Sequence, residues 1–262
     1  MTDPGPIVAL ALITFALGVV LGFVGAGGAG LAVGLLTGVF HLPIHQAIGT
    51  ALASMCVVTV AGAASHYREG NVAARIGLVV GLAGMVGAVA GANTSQFIPA
   101  ATLKPASGIA LWLLAGLVWF RTRWSDRIPP APLVPTVGPP PARPGRDWAA
   151  SIGLGLSGGV AAAVLGVGMA PYLQLGFITV LKLPLRQTVG TTMLTLVFIS
   201  AAGSLALASH GDVSVPHLLG TTAGLASGSF VGARYTRRVR REVVRFALVA
   251  VPFVAGAMLL FL

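Results

Sequence analysis

The sequence predicts an all-α polytopic membrane protein built from two inverted repeats of about five helical segments each, with short broken or re-entrant helices at Gly-rich breaks. Three observations predict it. First, 56% of the 262 residues are hydrophobic and only 8% are charged, where a soluble domain carries about a quarter charged residues and needs them to cover its surface. Second, apolar runs long enough to cross a hydrocarbon core of about 30 Å recur along the chain. Third, the two halves match each other at one fixed offset, while the basic residues in corresponding loops change sides.

The apolar runs fall near 7–24, 28–40, 43–65, 73–95 and 105–120, then near 148–166, 168–181, 184–208, 213–233 and 244–262. No Lys or Arg precedes the first run. A cleavable signal normally starts with a basic stretch, so this run is expected to be retained in the membrane. The runs at 28–40 and 168–181 each follow a Gly-rich break and are too short to span upright; they read as half-helices or re-entrant segments, with a tilted short crossing as the alternative. Between residues 121 and 147 the composition changes to arginines with eight prolines from Pro129 to Pro144. That stretch reads as a semi-rigid, solvated linker. It separates a first membrane unit, 1–120, from a second, 148–262.

Moved along the chain by one constant shift, without a gap, the first unit lies on the second. Gly25 falls on Gly166, Gly27 on Gly168, Leu42-Pro43 on Leu183-Pro184, Gln46 on Gln187, and Gly49-Thr50 on Gly190-Thr191. Gly70 falls on Gly211 and Gly87 on Gly228. Chance similarity among apolar helices matches scattered Gly and Ala, but not Leu-Pro-x-x-Gln-x-x-Gly-Thr at a common offset. The loop at 41–45 has no Lys or Arg, whereas its counterpart has Lys182 and Arg186. The loop at 66–75 has Arg68 and Arg75, whereas its counterpart near 207–216 has neither. The loop at 93–104 has only Lys104; the stretch at 234–245 has six arginines. Basic loops face the cytoplasm, so the units are expected to be inverted. The linker would be cytoplasmic and both termini outside.

The same reading explains the net charge of +10 as topology, and no nucleic-acid partner is expected. Cys56 is the single cysteine; it excludes an intrachain disulfide and reads as a small packing residue. All six acidic residues lie in loops or at segment ends, which disfavours a carboxylate proton relay or dehydrated cation site. With no acid–base pair or activated nucleophile visible, the chain is not expected to be an enzyme. The five histidines read as interfacial, and no metal or other cofactor is expected. Gly25 to Gly30 matches a dinucleotide fingerprint, but it lacks the preceding strand and the downstream acidic partner.

Inverted repeats with interrupted helices are the architecture of secondary transporters, which hold substrate between the repeats. Here the interruptions contain Gly25, Gly27 and Gly28 in one unit and Gly166 and Gly168 in the other. A half-helix starting there aims free N–H groups and a partial positive charge at the site, favouring an anion; tight helix crossing alone is the competing explanation. After each Leu-Pro, a polar stripe follows at intervals of four: Gln46, Thr50 and Ser54, then Gln187, Thr191 and Thr195. Residues so spaced share one helix face, expected to turn toward the protein interior or an aqueous path. The competing explanation is that the hydroxyls bond back to their own helices. Gly87-x-x-x-Gly91 and Gly228-x-x-x-Gly232 read as helix-packing motifs.

The duplicated Gly-x-Gly followed by Leu-Pro-x-x-Gln-x-x-Gly-Thr resembles the TauE/SafE sulfite exporters, also called toluene sulfonate uptake permeases, over almost the whole chain. The resemblance implies transport of sulfite, sulfonates or related sulfur-containing anions across a bacterial inner membrane. The expected function is therefore a secondary, alternating-access transporter of a small sulfur-containing anion. A passive anion channel and a non-transporting membrane scaffold or assembly factor are the alternatives, and a homodimer is allowed. Met169 and Pro171 stand where the first break has glycines, so the site is expected to be only approximately symmetric.

Overall fold

The computed structural model describes residues 4–24, 29–125, 144–166, 169–235 and 241–261. These form α1 (Pro4–Val24), α2 (Ala29–Gly38), α3 (Ile44–Arg68), α4 (Ala74–Ser95), α5 (Ala100–Ser125), α6 (Pro144–Leu165), α7 (Ala170–Thr179), α8 (Leu185–Ser209), α9 (Val215–Tyr235) and α10 (Arg241–Phe261). No strand occurs among the described residues. The internal match extends to the helix boundaries. Helices α2 to α5 start at Ala29, Ile44, Ala74 and Ala100; α7 to α10 start at Ala170, Leu185, Val215 and Arg241, the positions that the match pairs with them. Five helices are long and apolar enough to cross a membrane within the described residues. The fold is that of an all-helical, multi-pass membrane protein.

The short runs become ten-residue helices, α2 and α7, each about 15 Å long and so about half a hydrocarbon core. Every residue of α2 is buried. Helix α5 reaches Ser125 and α6 begins at Pro144. Both helices therefore run a few residues into the expected linker: Arg and Trp sustain a helix, and proline suits a first turn. The rest of the linker, 126–143, lies outside the described residues.

Two turns repeat with their backbone strain. His41 and Lys182, the residues two before Pro43 and Pro184, have φ of 52° and 53°. Each lets the chain reverse after a short helix. The Leu42 N–H then donates to the Leu36 carbonyl at 3.0 Å, and the Leu183 N–H to the Phe177 carbonyl at 2.8 Å. A side chain with a Cβ costs roughly 1–2 kcal/mol in this left-handed region, most for β-branched types. His41→Val is therefore expected to lower stability by about that amount, and His41→Gly to leave it equal or higher; thermal unfolding in detergent reads both.

Glycine determines how closely the helices approach. A Cβ at Gly87 would collide with the Leu156 carbonyl oxygen, and one at Gly91 would stand 2.7 Å from that of Val160. The contacts advance in the same direction along both chains, so α4 and α6 run parallel. Gly224 and Gly228 meet Ala11 and Phe15 in the same manner, so α1 and α9 are parallel too. Helices α3 and α8 cross in the opposite sense: Gly203 stands over Leu52 and Gly62 over Met193. The α5–α10 pair is also antiparallel, with Gly108 against Leu260 and Trp112 against Phe253. The Gly87 motif is thus a packing device, and Gly228 is one as well.

These directions sort the loops into two faces. At one face the start of α8 meets the end of α3, with Gly190 against His66 and Asn71. The Arg75 guanidinium lies 5.7 Å from the Trp148 ring centroid there, tying the start of α4 to that of α6. Arg68, Arg75 and Lys182 therefore share a face. The opposite face carries neutral and acidic loops, with Lys104 near the start of α5 its one lysine or arginine among the described residues. The Gln96 amide donates to the Asp212 carboxylate at 2.7 Å, His210 Nε2 lies 2.9 Å from Asn93 Oδ1, and His45 Nε2 lies 3.0 Å from the Ser95 carbonyl. These histidines serve as loop contacts. Among the described residues, no three His, Cys, Asp or Glu side chains converge.

Candidate functional site at the crossing of two duplicated helices

The polar stripes lie on α3 and α8. The residue after each proline starts its helix, because the proline ring restricts the backbone and has no N–H to leave unpaired. The register of the α3–α8 crossing fixes where the stripe residues stand. With Leu52 at Gly203 and Gly62 at Met193, Ser54 and Thr195 are separated by roughly 9 Å along the axis, from about 1.5 Å per residue. Thr50 and Thr191 are about 21 Å apart by the same measure, and Gln46 and Gln187 about 33 Å. Of the six, Ser54 and Thr195 thus stand nearest the crossing point. The structure places the glutamines toward opposite faces, so one small anion does not meet all six residues in this conformation.

Thr50, Ser54, Thr191 and Thr195 are fully buried. The Ser54 hydroxyl donates to the Thr50 carbonyl at 2.9 Å, and the Thr195 hydroxyl to the carbonyls of Thr191 at 2.9 Å and Gly77 at 3.3 Å. Bonds back to the helix satisfy these hydroxyls without water.

Thr50 and Thr191 do something different. The backbone N–H of Ser214 donates to Thr50 Oγ1 at 3.0 Å, and that of Ala73 donates to Thr191 Oγ1 at 3.0 Å. Ser214 and Ala73 immediately precede α9 and α4, so each threonine satisfies an N–H at a helix start that has no partner within its own helix. The cap is supplied by the other repeat. Ala73 and Ser214 are themselves counterparts in the internal match, so the exchange is reciprocal. The glycine before each threonine permits the approach: a Cβ at Gly49 would collide with the Asp212 carbonyl oxygen, and one at Gly190 with that of Asn71. Neither threonine hydroxyl donates to another described residue.

Gln46 and Gln187 are half-buried, and neither amide makes a hydrogen bond with the described residues. Of the breaks, Gly166 is described. Its φ is 63°, and a Cβ there would stand 2.6 Å from Ile48 Cγ1 and 3.0 Å from Val33 Cγ2. Glycine is required twice over, for backbone conformation and for space. The second break thereby rests on the first repeat at Ile48, two residues from both Gln46 and Thr50 and so on the side of α3 away from the stripe. Gly25, Gly27, Gly28 and Gly168 lie outside the described residues. The backbone groups of Ala73 and Ser214 had no signal in the sequence: Ala and Ser are dissimilar, and the contact uses only main chain.

A family description, Sulfite exporter TauE/SafE, matches residues 10–259. The chain belongs to the TauE/SafE family. Among relatives of this TauE/SafE member is a Bacillus subtilis protein described as "Probable membrane transporter protein YdhB". It is 37% identical over 253 residues, covering 95% of this chain and 98% of the relative. No solved structure matches the chain. The TauE/SafE assignment makes the protein a membrane transporter with a small-molecule substrate.

Proposed function

We propose that the protein is a secondary carrier for a small sulfur-containing anion, sulfite or an organosulfonate, working by alternating access. The observation that carries this reading is the reciprocal Thr50–Ser214 and Thr191–Ala73 exchange, at the crossing of two equivalent helices in a family named for sulfite export. The pairing of α3 with its own counterpart α8 in antiparallel sense supports inverted repeats. Ser54 and Thr195 mark the centre. Gln46 and Thr50 line the approach from one face; Gln187 and Thr191 line the other, and the Gly166 break packs on the far side of α3 at Ile48. The glycines at 25, 27, 28 and 168 would complete the two breaks. Amide and hydroxyl donors suit an oxyanion, and the absence of acidic residues from the apolar interior of the sequence avoids repelling one. The protein is read as lying in a bacterial inner membrane with its arginine-bearing face in the cytoplasm.

Radiolabelled sulfite flux in proteoliposomes tests the reading. Saturable uptake with counterflow is expected; flux that rises linearly with concentration and shows no counterflow would make the protein a channel. Gln46→Leu and Gln187→Leu, which remove no hydrogen bond among the described residues, are expected to reduce flux severalfold while leaving the thermal midpoint in place. Unchanged kinetics in both variants would remove the glutamines from the path.

A further inference from the structure

Away from the crossing, α5 and α10 enclose a groove of about 390 Å³ lined by Trp112, Ala115, Gly116, Trp119, Val249 and Phe253. Trp112 stacks on Phe253, with centroids 5.4 Å apart and planes 9° from parallel, and its Nε1–H donates to the Phe253 carbonyl at 3.1 Å. This fixes one wall. The floor is small residues: a Cβ added at Gly116 would meet nothing within 4 Å. The groove is therefore an open apolar slot whose space the protein itself leaves unfilled.

Its two ends differ. Because α5 and α10 are antiparallel, the last turn of α5 and the first turn of α10 lie at the same end of the groove. Arg121 and Arg123 follow Trp119 within four residues, and Arg241 and Arg245 precede Val249 within eight. Four residues are about 6 Å of helix. Four arginines thus stand at backbone positions just beyond one end of the slot, with Glu242 the one acidic residue in those two turns. The N-terminal end of α10 adds the partial positive charge of a helix start at the same place. An apolar slot that ends beside four arginine positions matches an amphiphile with an apolar tail and an anionic head. Arginine is also the side chain best shaped to hold a phosphate.

We propose that this groove binds one anionic phospholipid, with an acyl chain along Gly116 and the phosphate at the arginine end. The groove's lining comes from α5 and α10, not from α3 or α8.

Native mass spectrometry of the purified protein tests this, after exchange into micelles with equal amounts of phosphatidylglycerol and phosphatidylcholine. The native chain is expected to retain one phosphatidylglycerol severalfold over phosphatidylcholine. Gly116→Leu fills the slot without touching protein atoms at its Cβ, so it should keep the thermal midpoint yet lose the retained lipid. Arg121→Gln with Arg245→Gln should keep a retained lipid but lose the preference for the anionic head. Equal retention of both lipids by the native chain would reduce the groove to ordinary lipid contact and overturn the proposal. Unchanged retention in Gly116→Leu, or a preference that survives the arginine changes, would overturn it too. So would a dimer that forms without lipid and is lost in Gly116→Leu, because the groove would then be a contact between copies.

Discussion

Gly190→Val is expected to unfold the protein or lower its stability by about 3 kcal/mol or more, at the upper end of overpacking effects. A Cβ at this position would overlap the Asn71 carbonyl oxygen and stand 2.9 Å from His66 Cβ and 3.0 Å from Val72 Cγ2. Backbone cannot move aside as a flexible side chain can. Gly49→Val should behave alike, since its Cβ would overlap the Asp212 carbonyl oxygen. Gly116→Ala is the control. It is also a helical glycine, but its added methyl meets nothing, and alanine favours a helix by up to about 1 kcal/mol. Thermal unfolding of the three variants in one detergent should separate them; an equal loss in all three would mean that close approach is not what these glycines supply.

The double variant Thr50→Val with Thr191→Val is expected to lose sulfite flux by at least tenfold. Valine keeps the shape and deletes the acceptor, so the Ser214 and Ala73 N–H groups lose their partners. Each such loss costs roughly 1–3 kcal/mol when the group is buried, and two sites about 21 Å apart along the helix should add. Thr→Ser at both positions restores the oxygen and should recover both stability and flux. That recovery distinguishes a lost hydrogen bond from a general packing defect. Wild-type flux and affinity in the valine pair would remove both threonines from the transport site.

The helices were largely legible because they depend on local signals. Runs of apolar residues marked the spans, and Leu-Pro at 42–43 and 183–184 marked the starts of α3 and α8 one residue later. The common offset carried through to helix starts because the loops share their turn residues, Gly70 with Gly211 among them. The short length of α2 and α7 followed from the Gly-rich breaks. The stripe on α3 and α8 was legible as a pattern, but its partners were not. Helical spacing says that Thr50 and Ser54 share a face; it does not say that Thr50 meets a main-chain N–H of Ser214. That partner follows from the register of two antiparallel helices, which large and small side chains along the whole crossing determine together. The same register spreads Gln46 and Gln187 to opposite faces, where the sequence suggested one cluster. At Gly166 the need for glycine was legible, but its neighbours Ile48 and Val33 were not, since they come from the other half of the chain.

The exchanged caps constrain the order in which the molecule is made. When α4 enters the membrane, its first N–H, on Ala73, has no acceptor until Thr191 has been synthesised. Thr50, already in place, receives nothing until Ser214 emerges from the ribosome. These two caps are thus complete only once residues far downstream in the second half have been made. A translation product cut short before Thr191 would leave the Ala73 N–H without this partner.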